Sequence, residues 1–152
     1  MLKQKIQEDL KQAMRDKAEQ KLSVLRMLMS AISNEEIAKG VRDSGLSDDQ
    51  TIVMVKREAK KRSDAADAYR KGGDETRASQ EETELSMLKA YLPPEVSEEQ
   101  IGAVVAEILA AHPGATQKEF GLLMKEAVAK LGAGADGKKV SETIKQRLAS
   151  SV

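Results

Sequence analysis

The chain has 152 residues, of which 40% are apolar and 33% are charged, a composition typical of a folded globular protein. Lysine plus arginine and aspartate plus glutamate both total 25, so the net charge is zero and gives no support for nucleic-acid binding outside local patches. There is no cysteine, which excludes disulfides, thiolate metal sites and a cysteine nucleophile.

Aromatic residues make up only 2% of the chain, so leucine, isoleucine, valine, methionine and alanine must build the core, and these favour helices. The N-terminus is charged throughout and shows no signal peptide, and no apolar stretch approaches the roughly 18 residues of a membrane span. We therefore expect an all-α protein of the cytoplasm, with no membrane partner.

Apolar residues recur every three or four positions almost from end to end, which is the period of a helix. The first helix has Leu2, Ile6, Leu10 and Met14 on one face. The second is apolar over more than half its circumference and is predicted to be central, ending near Gly40. Its apolar residues are Leu22, Val24, Leu25, Leu28, Met29, Ala31 and Ile32.

A capping box of Ser47 and Gln50 predicts the start of a long third helix, which Gly72-Gly73 ends. A fourth helix is predicted from about Glu75 to Tyr91, because Pro93-Pro94 cannot continue it. The third helix presents a seam that needs a partner helix. The seam consists of Ile52, Val55, Ala59, Arg62, Ala66 and Tyr69, and the fourth helix buries Leu85, Leu88 and Leu92.

Three short helices follow, two of them started by capping boxes at Ser97 and Thr116. We expect an N-terminal bundle of about four helices over residues 1–92 and a small C-terminal three-helix domain over residues 95–152. The second domain has a small core and is marginal alone. Its inward residues are Ile101, Val104, Val105, Ile108, Phe120, Leu123, Met124, Ala127, Leu131, Val140, Ile144 and Leu148.

The stretch from Gly132 to Gly137 reads G-x-G-x-x-G, but it follows a helix rather than a strand, so we reject a dinucleotide-binding site. Two interpretations remain open. The glycines could present the amides of the last helix, with Lys138 and Lys139, to a phosphate. Alternatively, the stretch is a flexible turn beside solvated lysines.

The densest basic run lies on the third helix, where Lys56 with Lys60, and Arg57 with Lys61, lie one turn apart. This stripe could meet phosphates, or it could be a solvated face neutralised by acidic neighbours. Arg62 is the expected paired member, since it lies in the apolar seam. The acidic neighbours are Asp64, Asp67, Glu81, Glu82 and Glu84, of which Glu81 and Glu84 share a face and are expected to form salt bridges to the third helix.

The single histidine, His112, lies at a helix end, where a cation interacts well with helix carbonyls, and no catalytic relay surrounds it. Adjacent carboxylates such as Glu35-Glu36 point to different helix faces and make poor metal clamps. We therefore predict no catalytic residue, no metal site and no cofactor.

Several segments together resemble the GatB/YqeY family, and the resemblance spans nearly the whole chain. They are Leu22 to Leu28, Lys56 to Arg62, Glu81-x-x-Glu84-Leu85, Tyr91-Leu92-Pro93, Phe120 to Met124, and the loop from Gly132 to Val140. In this family the three-helix domain also forms the tail of the B subunit of the tRNA-dependent amidotransferase, where it recognises tRNA.

The resemblance implies binding rather than chemistry, because the catalytic parts of that enzyme lie elsewhere. We expect an accessory module that contacts tRNA or amidotransferase subunits, and no DNA. Two alternatives stay open: a docking module for another protein, and carbon–nitrogen ligase activity with glutamine as amido-N-donor. The expected RNA-facing residues are Gly134, Gly137, Lys138, Lys139, Lys145 and Arg147, with Lys56, Arg57, Lys60 and Lys61 as a secondary stripe.

Overall fold

The computed structural model describes residues 1–150, and over that range the chain is all-helical, with no strand. It separates into two compact units, the first covering Met1–Leu92 and the second beginning at Pro93. The first holds α1 (Leu2–Arg15), α2 (Glu19–Ala38), α3 (Asp48–Lys71) and α4 (Glu75–Lys89). The second holds α5 (Glu98–Ala111), a 3-10 turn (Gln117–Glu119), α6 (Phe120–Leu131) and α7 (Gly137–Ser150).

Helix α2 contacts α1, α3 and α4, as its sequence predicts, but α3 likewise contacts the other three helices, so α2 and α3 share the central position. Leu25, Leu28 and Ile32 are fully buried beside Ile6 of α1 and Val55 of α3. Burying an aliphatic side chain of this size stabilises the fold by roughly 1.5–3 kcal/mol. The core therefore rests on aliphatic contacts of α2 with the helices around it.

Helix α1 is formed as predicted, but its apolar stripe is not buried to its end. Ile6 is buried and Leu2 and Leu10 pack at the edge of the core, whereas Met14 is 51% exposed. A step of four residues turns the helix by about 400°, so Met14 lies about 80° around the helix from Ile6, whereas Ala13 lies about 20° from it and is buried instead. After α1, Lys17 takes a positive φ of 53° where the chain turns into α2.

A buried carboxylate joins α1 to the loop after α2. Glu36 is only 3% exposed, and its Oε1 accepts hydrogen bonds from Lys3 Nζ at 2.6 Å and from the Leu46 amide at 3.2 Å. The hydrogen bond with the Lys3 ammonium keeps the pKa of Glu36 below its usual value although burial opposes the charge. This cluster fixes the N-terminal helix to the α2–α3 connection.

The charged seam between α3 and α4 confirms the interpretation of Arg62. Its Nη1 lies 3.2 Å from Glu81 Oε2 and 2.8 Å from Glu84 Oε2, and all three side chains are largely buried. Two carboxylates on one face of α4 thus neutralise a guanidinium within an apolar seam. Removing Arg62 would leave the two carboxylates largely buried without a cation, which would destabilise the fold.

Helix α4 ends at Lys89, two residues before the predicted end at Tyr91. The chain tightens there into three-residue turns, because the Tyr91 amide donates to the Leu88 carbonyl and the Leu92 amide to that of Lys89. The Tyr91 side chain is buried, and its hydroxyl donates to Asp9 of α1 at 2.5 Å. Burial and this contact with the carboxylate raise the pKa of Tyr91.

The second unit packs α5, α6 and α7 around one aliphatic core, and each of these helices contacts the other two. The capping boxes at Ser97 and Thr116 are both formed, although the Thr116 box starts the 3-10 turn that leads into α6. The buried residues are Ile101, Val105, Ile108, Leu123, Ala127, Val140, Ile144 and Leu148.

Candidate functional site

The three glycines of the G-x-G-x-x-G stretch meet three different structural demands. Gly132 ends α6 with a φ of 77°, which favours glycine. A Cβ on Gly134 would lie 2.3 Å from the Pro94 carbonyl oxygen, and the Gly134 carbonyl accepts the Val96 amide at 3.0 Å. Gly137 begins α7 with only the Met124 methyl nearby, at 3.9 Å. Gly134 therefore serves packing within the second unit.

The start of α7 is already capped by a carboxylate. Asp136 Oδ1 accepts the Lys138 amide at 2.9 Å, which satisfies one of the free amides of the helix terminus. That amide is not open to an incoming phosphate. The Lys138 and Lys139 side chains are the charged groups that this region offers to an anion.

Three exposed lysines of α7 form no salt bridge within residues 1–150. Lys138 and Lys145 are seven residues apart and share one flank of the helix, whereas Lys139 lies about 100° further around. Lys145 Nζ lies 5.3 Å from the ring centre of Phe120, a cation–π contact that holds it along α6. The exposed Glu142 lies on the same face, one turn after Lys138, so the three ammonium groups outnumber this carboxylate rather than form a purely positive surface.

Arg147 belongs to a different side of the same helix. It is nine residues from Lys138, half a turn away in projection, and its Nη2 lies 3.4 Å from the Cβ position of Gly102 on α5. The guanidinium thus lies along α5. The structure brings Lys138 and Lys145 to one flank and does not bring Arg147 to it.

The secondary stripe on α3 is extensively paired. Lys56 is also engaged, so the stripe presents little unneutralised charge to solvent. The observed pairs support the solvated-face interpretation. They are Arg57 with Glu35 at 3.6 Å, Lys60 with Asp64 at 3.4 Å, and Lys61 with Glu58 at 2.7 Å.

His112 has a partner that sequence reasoning missed. It caps α5, and its Nε2 lies 2.8 Å from Glu126 Oε2 of α6. The two residues are 14 positions apart, and their contact depends on how α5 packs against α6. Sequence patterns within one helix could not have revealed this contact, because its two residues lie on different helices.

No group of three or more histidine or acidic side chains within residues 1–150 is arranged to hold a metal ion. In the same range, every helix is too short or too polar to cross a membrane. The strongest candidate site is therefore the lysine-bearing surface of α7.

Comparison with known proteins places residues 3–148 within the model of a family described as Yqey-like protein. A yeast protein from Vanderwaltozyma polyspora, named altered inheritance of mitochondria protein 41, mitochondrial, is 29% identical over 128 residues. That alignment covers 83% of the present chain but just under two thirds, 66%, of the yeast protein.

Proposed function

Because the chain belongs to the YqeY-like protein family, we propose that it is a non-catalytic accessory module that binds tRNA in the setting of tRNA-dependent amidation. The observation that carries the proposal is the set of three exposed lysines on α7 without carboxylate partners in the described chain. Each can contact a backbone phosphate and release a counterion. We assign no ligase step to these residues, and we place the module in the cytoplasm as a prediction.

Recognition would depend on the shape and charge of the RNA more than on its sequence. The second unit has one aromatic residue, Phe120, and its ring is half-buried and covered by Lys145. Base stacking needs an open aromatic face, so lysine–phosphate contacts supply the affinity. The carboxylates of Asp136, at the start of the same helix, and of Glu142, one turn after Lys138, repel phosphates and weaken these contacts.

The test is binding of the full chain to total tRNA across a salt series. The variant Lys138→Glu plus Lys139→Glu should abolish binding. In the milder pair Lys138→Gln plus Lys139→Gln, the slope of log affinity against log salt should become shallower by about 2, because each lysine that pairs with a phosphate contributes about one to the slope. Asp136→Asn should strengthen binding.

Lys118→Glu plus Lys125→Glu is the matched control. It changes the net charge of the second unit by the same amount, through exposed lysines outside α7. Retained binding in this control assigns the tRNA-binding surface to α7. Equal loss of binding in both Glu variants, or no binding by the unmodified chain at low salt, would refute the proposal.

A second candidate function, docking onto another protein, is supported by a specific observation on α6. Leu122 and Val128 are 49% and 41% exposed, and Lys125 lies between them on the outward face. Exposed apolar side chains around a single charge suit a protein partner better than RNA. Binding to amidotransferase subunits that persists at high salt and is abolished in Leu122→Glu would favour this function.

A further inference from the structure

The outward face of α2 has an unusual composition for an exposed surface. Five of its residues form what we call the outer stripe, and every one is exposed. None is charged, although 33% of the chain is charged. Met27 and Ile37 in the stripe are 50% and 58% exposed, and the Met27 sulfur, at the edge of the stripe nearer α3, accepts a hydrogen bond from Arg62 Nη2 at 3.0 Å. The outer stripe consists of Ser23, Met27, Ser30, Asn34 and Ile37.

The spacing of the outer stripe is that of a helix-pairing seam. Its members follow one another at intervals of four, three, four and three residues, so they line one face of the helix over about 21 Å. This face lies opposite the one that buries Leu25 and Ile32. A fully solvated helix face normally carries charged side chains, so an uncharged seam indicates a surface that a second helix covers.

The order of large and small residues in the stripe is self-complementary. If a second α2 lies antiparallel with Ser30 facing Ser30, residue i faces residue 60 − i. Ile37 then faces Ser23, and Met27 faces the exposed Ser33 beside the stripe. Each large side chain thus meets a small one, which is the requirement for close packing across a two-fold interface.

The charges around the stripe are compatible with this arrangement. Arg26 on its flank faces Asn34 of the second copy, and the two Arg26 residues stay about 12 Å apart along the helix axis. Glu35 is already paired with Lys39 and Arg57 of its own chain. No like charges are forced together.

We propose that the outer stripe is a self-association surface, on which a second copy of this chain packs its own α2 in the antiparallel sense. The interface consists mainly of one helix face on each side, smaller than a permanent interface. The dimer is therefore expected to form with micromolar affinity and to exchange. It is distinct from the lysine surface of α7 and does not depend on RNA binding.

Disulfide trapping tests the geometry directly, because the chain contains no cysteine. Ser30→Cys should form a cross-linked dimer under mild oxidation, since the two Ser30 positions face each other. Ser23→Cys should not, because its copies lie about 21 Å apart in an antiparallel pair. Ser79→Cys, on an exposed position of α4, controls for random collision. Equal cross-linking of all three, or of Ser23→Cys and Ser30→Cys alone, would overturn the antiparallel interface.

The dimerisation affinity can also be measured by analytical ultracentrifugation of the unmodified chain and of two single-residue variants. Ser30→Arg places a charge at the two-fold axis and should weaken dimerisation at least about tenfold, whereas Ser79→Arg should not. Both substitutions are at exposed helical positions, so folding is preserved and can be checked by circular dichroism. A chain that remains monomeric up to about 500 µM would refute the proposal, since that limit lies far above the expected affinity.

Discussion

Replacing Gly134 by alanine tests whether the glycine stretch is needed for packing. The added Cβ would lie 2.3 Å from the Pro94 carbonyl oxygen, about 1 Å closer than an ordinary carbon–oxygen contact. Backbone must move to relieve this clash, because no flexible side chain is involved. Overpacking costs about 1–3 kcal/mol, and a weakened Val96–Gly134 hydrogen bond costs about 1 kcal/mol more.

We therefore expect Gly134→Ala to lower the free energy of unfolding of the second unit by about 2–4 kcal/mol. The measurement is hydrogen exchange of the α5–α7 amides, together with urea unfolding followed by circular dichroism. Gly137→Ala is the matched control in the same stretch, where the new methyl meets only Met124 and the effect should be between zero and a gain of about 1 kcal/mol. Unchanged protection in Gly134→Ala, or an equal decrease in both variants, would refute the packing argument.

Two further predictions concern the first unit. Lys3→Met should destabilise it by about 2–3 kcal/mol at neutral pH, because Glu36 loses its cation while buried. Since the folded pKa of Glu36 is lowered, its stabilising contribution is present above its unfolded pKa and is lost as pH falls through the folded value, so urea unfolding should show a smaller effect of Lys3→Met at acid pH. Lys17→Gly should stabilise the first unit by about 0.5–1 kcal/mol, because glycine adopts the positive φ of this position without the strain that a side chain causes. A lower melting temperature of this variant would contradict the prediction.

Local signals made the helix starts predictable. The capping boxes at Ser47, Ser97 and Thr116 involve residues only three positions apart, so the pattern is visible in the sequence itself. The pairing of Arg62 was also predictable, since an arginine within an apolar seam needs carboxylates on the facing helix.

Long-range contacts were not predictable from the same signals. Nothing in the sequence distinguishes buried Glu36 from its neighbour Glu35, because the difference arises from the placement of Lys3 and Leu46 in space. The position of Arg147 along α5 likewise depends on how α7 packs in the second unit. The RNA-facing role of the α7 lysines stays a prediction, since exposure and missing partners describe a surface without identifying its ligand.

The hydrogen bond between Tyr91 and Asp9 bears on the order in which the first unit folds. The two residues are 82 positions apart, so the bond closes almost the whole length of that unit. During synthesis α1 leaves the ribosome first, but Tyr91 follows only after α2, α3 and α4 have been made. Contacts of such sequence separation form late, because a long loop must close first. The Tyr91–Asp9 bond is therefore among the last contacts of the first unit to form, whereas α1 can pack Ile6 against α2, its neighbour in the chain, as soon as both helices have been made.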